Sequence, residues 1–129
     1  MLVHTPVSWG ELIDKITILE IKSERIRNPE KLVNIHHELQ ELAKTRDENV
    51  TITAELALLI AELKHINEKL WVVEDDIREC ERQKDFGATF IELARAVYYT
   101  NDERARVKRE INDALGSTLV EEKSYAAYS

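Results

Sequence analysis

Two stretches of this chain carry charged or amide side chains at positions where helical spacing is otherwise apolar. Steps of four and three from Leu63 reach Asn67, Leu70, Glu74, Ile77 and Glu81, so every second position of an apolar line is polar. The same steps from Phe90 reach Leu93, Val97, Asn101, Arg104, Lys108, Ile111 and Leu115, with three polar positions in the middle of a coiled-coil-like seam. Near the start, Lys15 and Glu20 edge the stripe of Leu12, Ile16 and Leu19. An isolated buried charge is prohibitive, whereas one that is paired and hydrogen-bonded is tolerated, so the two signs are expected to meet. The spacing therefore predicts a line of contact with Glu74 and Glu81 on one side and Arg104 and Lys108 on the other. Arg78, one turn after Glu74, adds an in-helix pair worth a few tenths of a kcal/mol. Two chemistries fit this set. One is a closed ion network that fixes helix register. The other is a polar pocket in which Lys15, Arg104 and Lys108 receive a carboxylate or phosphate, with Glu74 or Glu20 as hydrogen-bond acceptor or general acid/base. All-helical chorismate mutases use inward Arg, Lys and Glu in this way and the first helix is similar in style, but no motif carries a residue across.

Other constellations are weaker. Glu62 and His65 form one Glu-x-x-His, a half-site that di-iron bundles need twice, and no second copy exists. His36 and His37 are adjacent, which points them about 100° apart on a helix and excludes joint ligation. "ELQE" at residues 38–41 has only "EIND" at 110–113 as a distant companion, the wrong spacing for a helical pyrophosphohydrolase. No Gly-rich phosphate loop, nucleophile elbow or Ser/His/Asp arrangement is present, so neither metal nor cofactor is expected. Cys80, the one cysteine, falls on an inner helix face and reads as a small buried hydrophobe.

The elements that must position these residues are helices. Only 3 Gly and 2 Pro among 129 residues, with 33% charged, point away from a turn-rich sheet protein. Ser8 with Glu11 forms a capping box that starts a helix at about residue 8, running to about 27. Asn28 and Pro29 open a second over about 29–46, with Leu32, Ile35, Leu39 and Leu42 as its core stripe. Thr51 or Thr53 caps a third over about 53–84, which "KDFG" ends. A fourth spans about 87–115, stopped by Gly116 and open to a restart near Asn101, where Thr100 and Glu103 offer a further box. Residues 116–129 are a strap or a frayed tail, and Trp9 is placed to close one end of the bundle. The expectation is a single all-α domain over 1–129, an antiparallel bundle of four helices, or five with the restart, with a long third helix.

A net charge of -7 and a pI near 5.2 argue against nucleic-acid binding, which needs clustered cations. No leader pattern and no apolar run of about 20 residues is present, so a cytoplasmic protein without membrane insertion is expected. The overhang of the third helix, and the placement of Ile18 and Ile21 off the main stripe of the first, predict a homo-oligomer.

The blocks "TPVSWGELIDKITILEIKSERI", "LWVVEDDIRECE", "FIELARAVYYTNDERARVKREIN" and "LVEEKSY" together resemble a family of small bacterial proteins classed only as a domain of unknown function. They contain the polar residues named above: Lys15, Glu20, Glu74, Arg78, Asn101, Arg104 and Lys108. The resemblance implies an association with bacterial gene sets for surface polysaccharide, brings no catalytic residues, and favours a strap for the C-terminal segment. Two functional readings follow: a homo-oligomeric binding or adaptor module with a protein partner, and a small enzyme or ligand-binding protein that holds an anionic small molecule between helices.

Overall fold

The computed structural model describes residues 1–128 and is all-α, with helices in the order α1 (Trp9–Arg25), α2 (Pro29–Asn49), α3 (Ala54–Arg82) and α4 (Ala88–Leu115). Three of the four start where a side chain takes otherwise free amides. Ser8 Oγ accepts from the Glu11 N–H at 3.1 Å, Asn28 Oδ1 from Glu30 at 2.9 Å and Lys31 at 3.3 Å, and Thr53 Oγ1 from Leu56 at 3.1 Å. The expected capping box forms on its Ser8 side only, because the Glu11 carboxylate turns to Lys108 instead.

One helix runs past its expected end, and the stretch that closes another does so through an unexpected residue. α2 continues through Asp47–Asn49 to a cap at Val50, past the expected stop near Arg46. α3 is closed by Lys84 in the left-handed region at φ 56°, with the Lys84 N–H donating to the Glu81 carbonyl at 3.1 Å and the Asp85 N–H to that of Cys80 at 2.9 Å. Gly87, the residue with the conformational freedom to do this, instead precedes α4 in extended backbone, its N–H held by Asp85 Oδ1 at 3.1 Å. Gly116, at φ 61°, terminates α4 as expected. The restart near Asn101 does not occur. Thr100 is a buried interior residue of an unbroken α4, so among the described residues the helices number four and not five.

α1 is the hub of the packing: it meets α2, α3 and α4, while α3 and α4 run antiparallel as a long hairpin. The core joins Ile13 of α1, Leu56, Leu63 and Ile66 of α3, and Val107 and Ile111 of α4, with Trp9 and Leu115 packed at its margin. α2 touches α1 alone. A helix with one neighbour buries a narrow strip, and of the expected α2 stripe only Ile35 is buried, while Leu32, Leu39 and Leu42 are partly exposed. The second apolar face of α1 also has a partner within the chain. Ile21 is 1% exposed and, with Ile18, faces Leu70 and Trp71, so these two isoleucines are no argument for a second subunit.

With 29 residues against 17, α3 spans about 43 Å and α1 about 25 Å. The hairpin therefore outruns the helix that covers it. Between Asp75 and Val97 the only buried side chain is that of Cys80. Its thiol pKa is raised by burial first and then by Asp85, Asp76 and Glu79, which makes it a poor nucleophile. Residues 116–128 lie along α4, fastened by ion pairs and by Tyr128 against Tyr98 and Tyr99.

Candidate functional site

The centre of the polar system is Asp14 of α1, which is 1% exposed. Arg104 of α4 grips it with two parallel bonds, Nε to Oδ1 at 2.9 Å and Nη2 to Oδ2. Asn67 of α3 donates to Asp14 Oδ1 at 2.9 Å and to Thr17 Oγ1 at 2.9 Å, and the Thr17 hydroxyl donates to the Asp14 carbonyl at 2.8 Å. Three helices are thus tied through one carboxylate. The bond to Asp14 raises the Arg104 pKa against the opposing effect of burial, so the guanidinium stays charged.

One turn along α4, Lys108 Nζ donates to Glu11 Oε2 at 2.7 Å and to Glu121 Oε2 at 2.8 Å. Burial, the largest influence on Lys108, lowers its basicity, yet the two carboxylates outweigh it and its pKa lies above the usual value. The same bond lowers the pKa of Glu121. Nearby, Asn112 Oδ1 accepts from the Gly10 N–H at 2.6 Å, and Ser117 Oγ from the Trp9 N–H at 3.2 Å. Among the described residues every buried side-chain polar atom has a partner.

The pH dependence of the strap follows from these shifts. A depressed Glu121 pKa contributes stability that is present above the ordinary value of 4.5 and is lost as pH falls through the lower folded value. A raised Lys108 pKa contributes stability that is complete below 10.5 and is lost only at more alkaline pH. Acidification below pH 4.5 is therefore expected to release residues 117–125 before the helices melt, seen as their amide resonances moving to unstructured positions. At neutral pH Glu121→Gln should cost no more than about 1 kcal/mol in chemical denaturation, because the Glu121 side chain is 39% exposed and Glu11 still holds Lys108.

The expected contact line is corrected by this geometry. Arg104 and Lys108 do meet carboxylates, but those of Asp14, Glu11 and Glu121, not those of Glu74 and Glu81. Glu74 pairs with Arg78 at 3.4 Å near the surface, and Glu81 is exposed. Lys15 points away from the network and pairs with Glu38 of α2 at 3.0 Å. Glu20 lies on the side of α1 toward Lys64, whose pKa is raised first by the bond it donates to Glu24 and to a lesser extent by the Glu20 charge. Of the seven candidates, Arg104, Asn101, Glu74 and Arg78 therefore share one region, Lys108 occupies a second, and Lys15 and Glu20 lie elsewhere.

That shared region is a cleft of about 500 Å³ between α1, α3 and α4. Ile18, Ile21, Leu70 and Trp71 form its apolar surface, and Arg104, Asn101, Lys22, Glu74 and Arg78 its polar one. Nothing in the main apolar stripes marks Asp14, Thr17 or Asn112 as buried, although Asp14 does stand four before Ile18 and seven before Ile21. Among the described residues no three His, Cys, Asp or Glu side chains gather as metal ligands, and Glu62 accepts from Arg106 at 2.8 Å. No described helix is long and apolar enough to cross a membrane.

No curated protein and no solved structure matches the chain. A family model does, over residues 3–128, which include the whole ion network and the cleft beside it, and the chain belongs to that family, described as a family of unknown function, DUF6165.

Proposed function

We propose that the chain is a homo-oligomeric binding module that acts through the exposed half of the α3–α4 hairpin. One observation carries this reading: beyond the reach of α1 the hairpin keeps apolar side chains on both helices without covering them. Phe86 and Ile91 are 52% and 55% exposed, Ile77, Phe90 and Leu93 are only partly buried, and Val72, beside the end of α1, is 46% exposed. Two helices alone have no interior, whereas two such hairpins packed together form a four-helix unit with one. A second copy of the chain is the occupant with the same spacing and the same apolar content. In this reading the four helices and the strap, residues 1–129, act as one domain that presents the hairpin. The paired charges of the ion network support it, since they hold α1 in register across the hairpin base. A bacterial setting in the assembly of surface polysaccharide follows from the resemblance of the sequence blocks, and a cytoplasmic one from the absence of a leader pattern and of a long apolar run.

Sedimentation velocity tests the proposal. The chain is expected to sediment as a dimer or larger at micromolar concentration, and more so at high salt, because carboxylates outnumber cations between Leu70 and Val97. The double substitution Val72→Asp with Ile91→Asp should yield a monomer with unchanged helix content, both side chains being exposed within one copy. A monomeric wild type, or a double variant that still associates, would sink the idea.

A further inference from the structure

We infer that the cleft between α1, α3 and α4 is a binding site for a small organic anion that carries its charge at one end of a flat apolar body. The inference starts from a contrast in hydrogen bonding. Every buried side-chain polar atom among the described residues has a partner, those behind the cleft included. At the open face of the cleft several donors have none. Arg104 gives Nε and Nη2 to Asp14, while Nη1 makes no hydrogen bond to a described residue and is not enclosed. The Lys22 ammonium, in the last turn of α1, has no carboxylate within ion-pair distance among the described residues. The indole N–H of Trp71 and the amide of Asn101 are likewise without partners there. Unused donors from three helices thus border one cavity, two of them cationic.

The chemistry of the remaining surface narrows the ligand. Ile18, Ile21, Leu70 and the face of Trp71 offer an apolar bed, and about 500 Å³ lies in the range of small-molecule sites. Acceptor oxygens are what free N–H groups of this kind recognise, and a carboxylate or a phosphate monoester presents them. Glu74 and Asp75 also line the cleft, where they repel a second anionic group, and Arg78 is taken by Glu74 at 3.4 Å, so the charge of the ligand belongs with Lys22 and Arg104. Asp14 serves as a positioning residue. By holding two of the guanidinium N–H groups it fixes the plane of Arg104 and aims the remaining edge before any ligand arrives.

Phenyl phosphate and benzoate are suitable probes, with benzyl alcohol as the apolar body without charge and inorganic phosphate as the charge without a body. The readout is the indole N–H resonance of Trp71, identified by its loss in Trp71→Phe. At least one of the two aromatic anions is expected to move it saturably, at least tenfold more tightly than either control, and the tighter of the two assigns the anionic group. Lys22→Met should weaken that binding about tenfold or more, the effect of losing one charge-assisted bond, while leaving the melting temperature unchanged because Lys22 has no ionic partner to lose. The inference fails if neither anion moves the Trp71 resonance, if benzyl alcohol binds as tightly, or if Lys22→Met binds like the wild type.

Discussion

Asp14→Ala is expected to destabilise the protein by about 3 kcal/mol and, in a chain of marginal stability, to leave part of the population unfolded at physiological temperature. The cause is not the loss of attraction alone. Asp14 is 1% exposed and Arg104 is largely covered, so the substitution leaves a guanidinium in a partly desolvated place with no counter-charge, and it strips Asn67 of an acceptor. Replacing both partners is a different experiment. Asp14→Leu with Arg104→Met removes both charges and fills the space with apolar volume, an exchange that is often neutral or stabilising for buried pairs. Urea denaturation of the two variants should therefore give a large loss for Asp14→Ala and a much smaller one for the double substitution. Equal losses would mean that Asp14 matters through its bond to Asn67 and not through the ion pair.

Gly10→Ala is expected to cost about 3 kcal/mol, the upper end of what overpacking usually costs. A Cβ added at Gly10 would stand 2.5 Å from the Lys108 carbonyl oxygen and 2.9 Å from Asn112 Oδ1. The first of these is backbone within α4 and cannot swing aside. Relief requires α1 to move away from α4, which stretches the Gly10 N–H bond to Asn112 and the Lys108 bond to Glu11 together. Thermal unfolding followed by circular dichroism measures the loss. Ala at position 10 has the better helix propensity, so a stabilised variant would show that α1 and α4 do not approach as closely as the glycine permits.

Gly10 also illustrates what was legible in the chain and what was not. The sequence identifies it as a glycine in the first turn of a helix, and nothing in the local pattern says that another backbone passes over it. Helix starts could be read because Ser8, Asn28 and Thr53 act on amides two or three residues away. The same holds for the inward placement of Arg104 and Lys108, which interrupt a long apolar seam. Their partners could not be read in the same way. Periodicity says which face of a helix is inside, but not the height at which it meets its neighbour, and so it matches Glu74 and Glu81 with cations that Asp14, Glu11 and Glu121 in fact hold. Glu121 lies in a segment with no period at all. Asp14 was hidden because the stripe of Leu12, Ile16 and Leu19 describes a helix with one buried face, and α1 has neighbours on several sides.

The attachment of α2 to α1 alone has a consequence for how the molecule comes apart. A helix of 21 residues that buries one isoleucine and shares no contact with the α3–α4 hairpin is a separate cooperative unit in all but covalent connection. Lifting it from α1 exposes Ile35 and breaks the Lys15 pair with Glu38, while the Asp14 network and the Lys108 fastening of the strap stay intact. The opened form keeps its core on α1, α3 and α4, while the 28 residues between α1 and α3 stay joined to it at both ends and Val50 still packs against it.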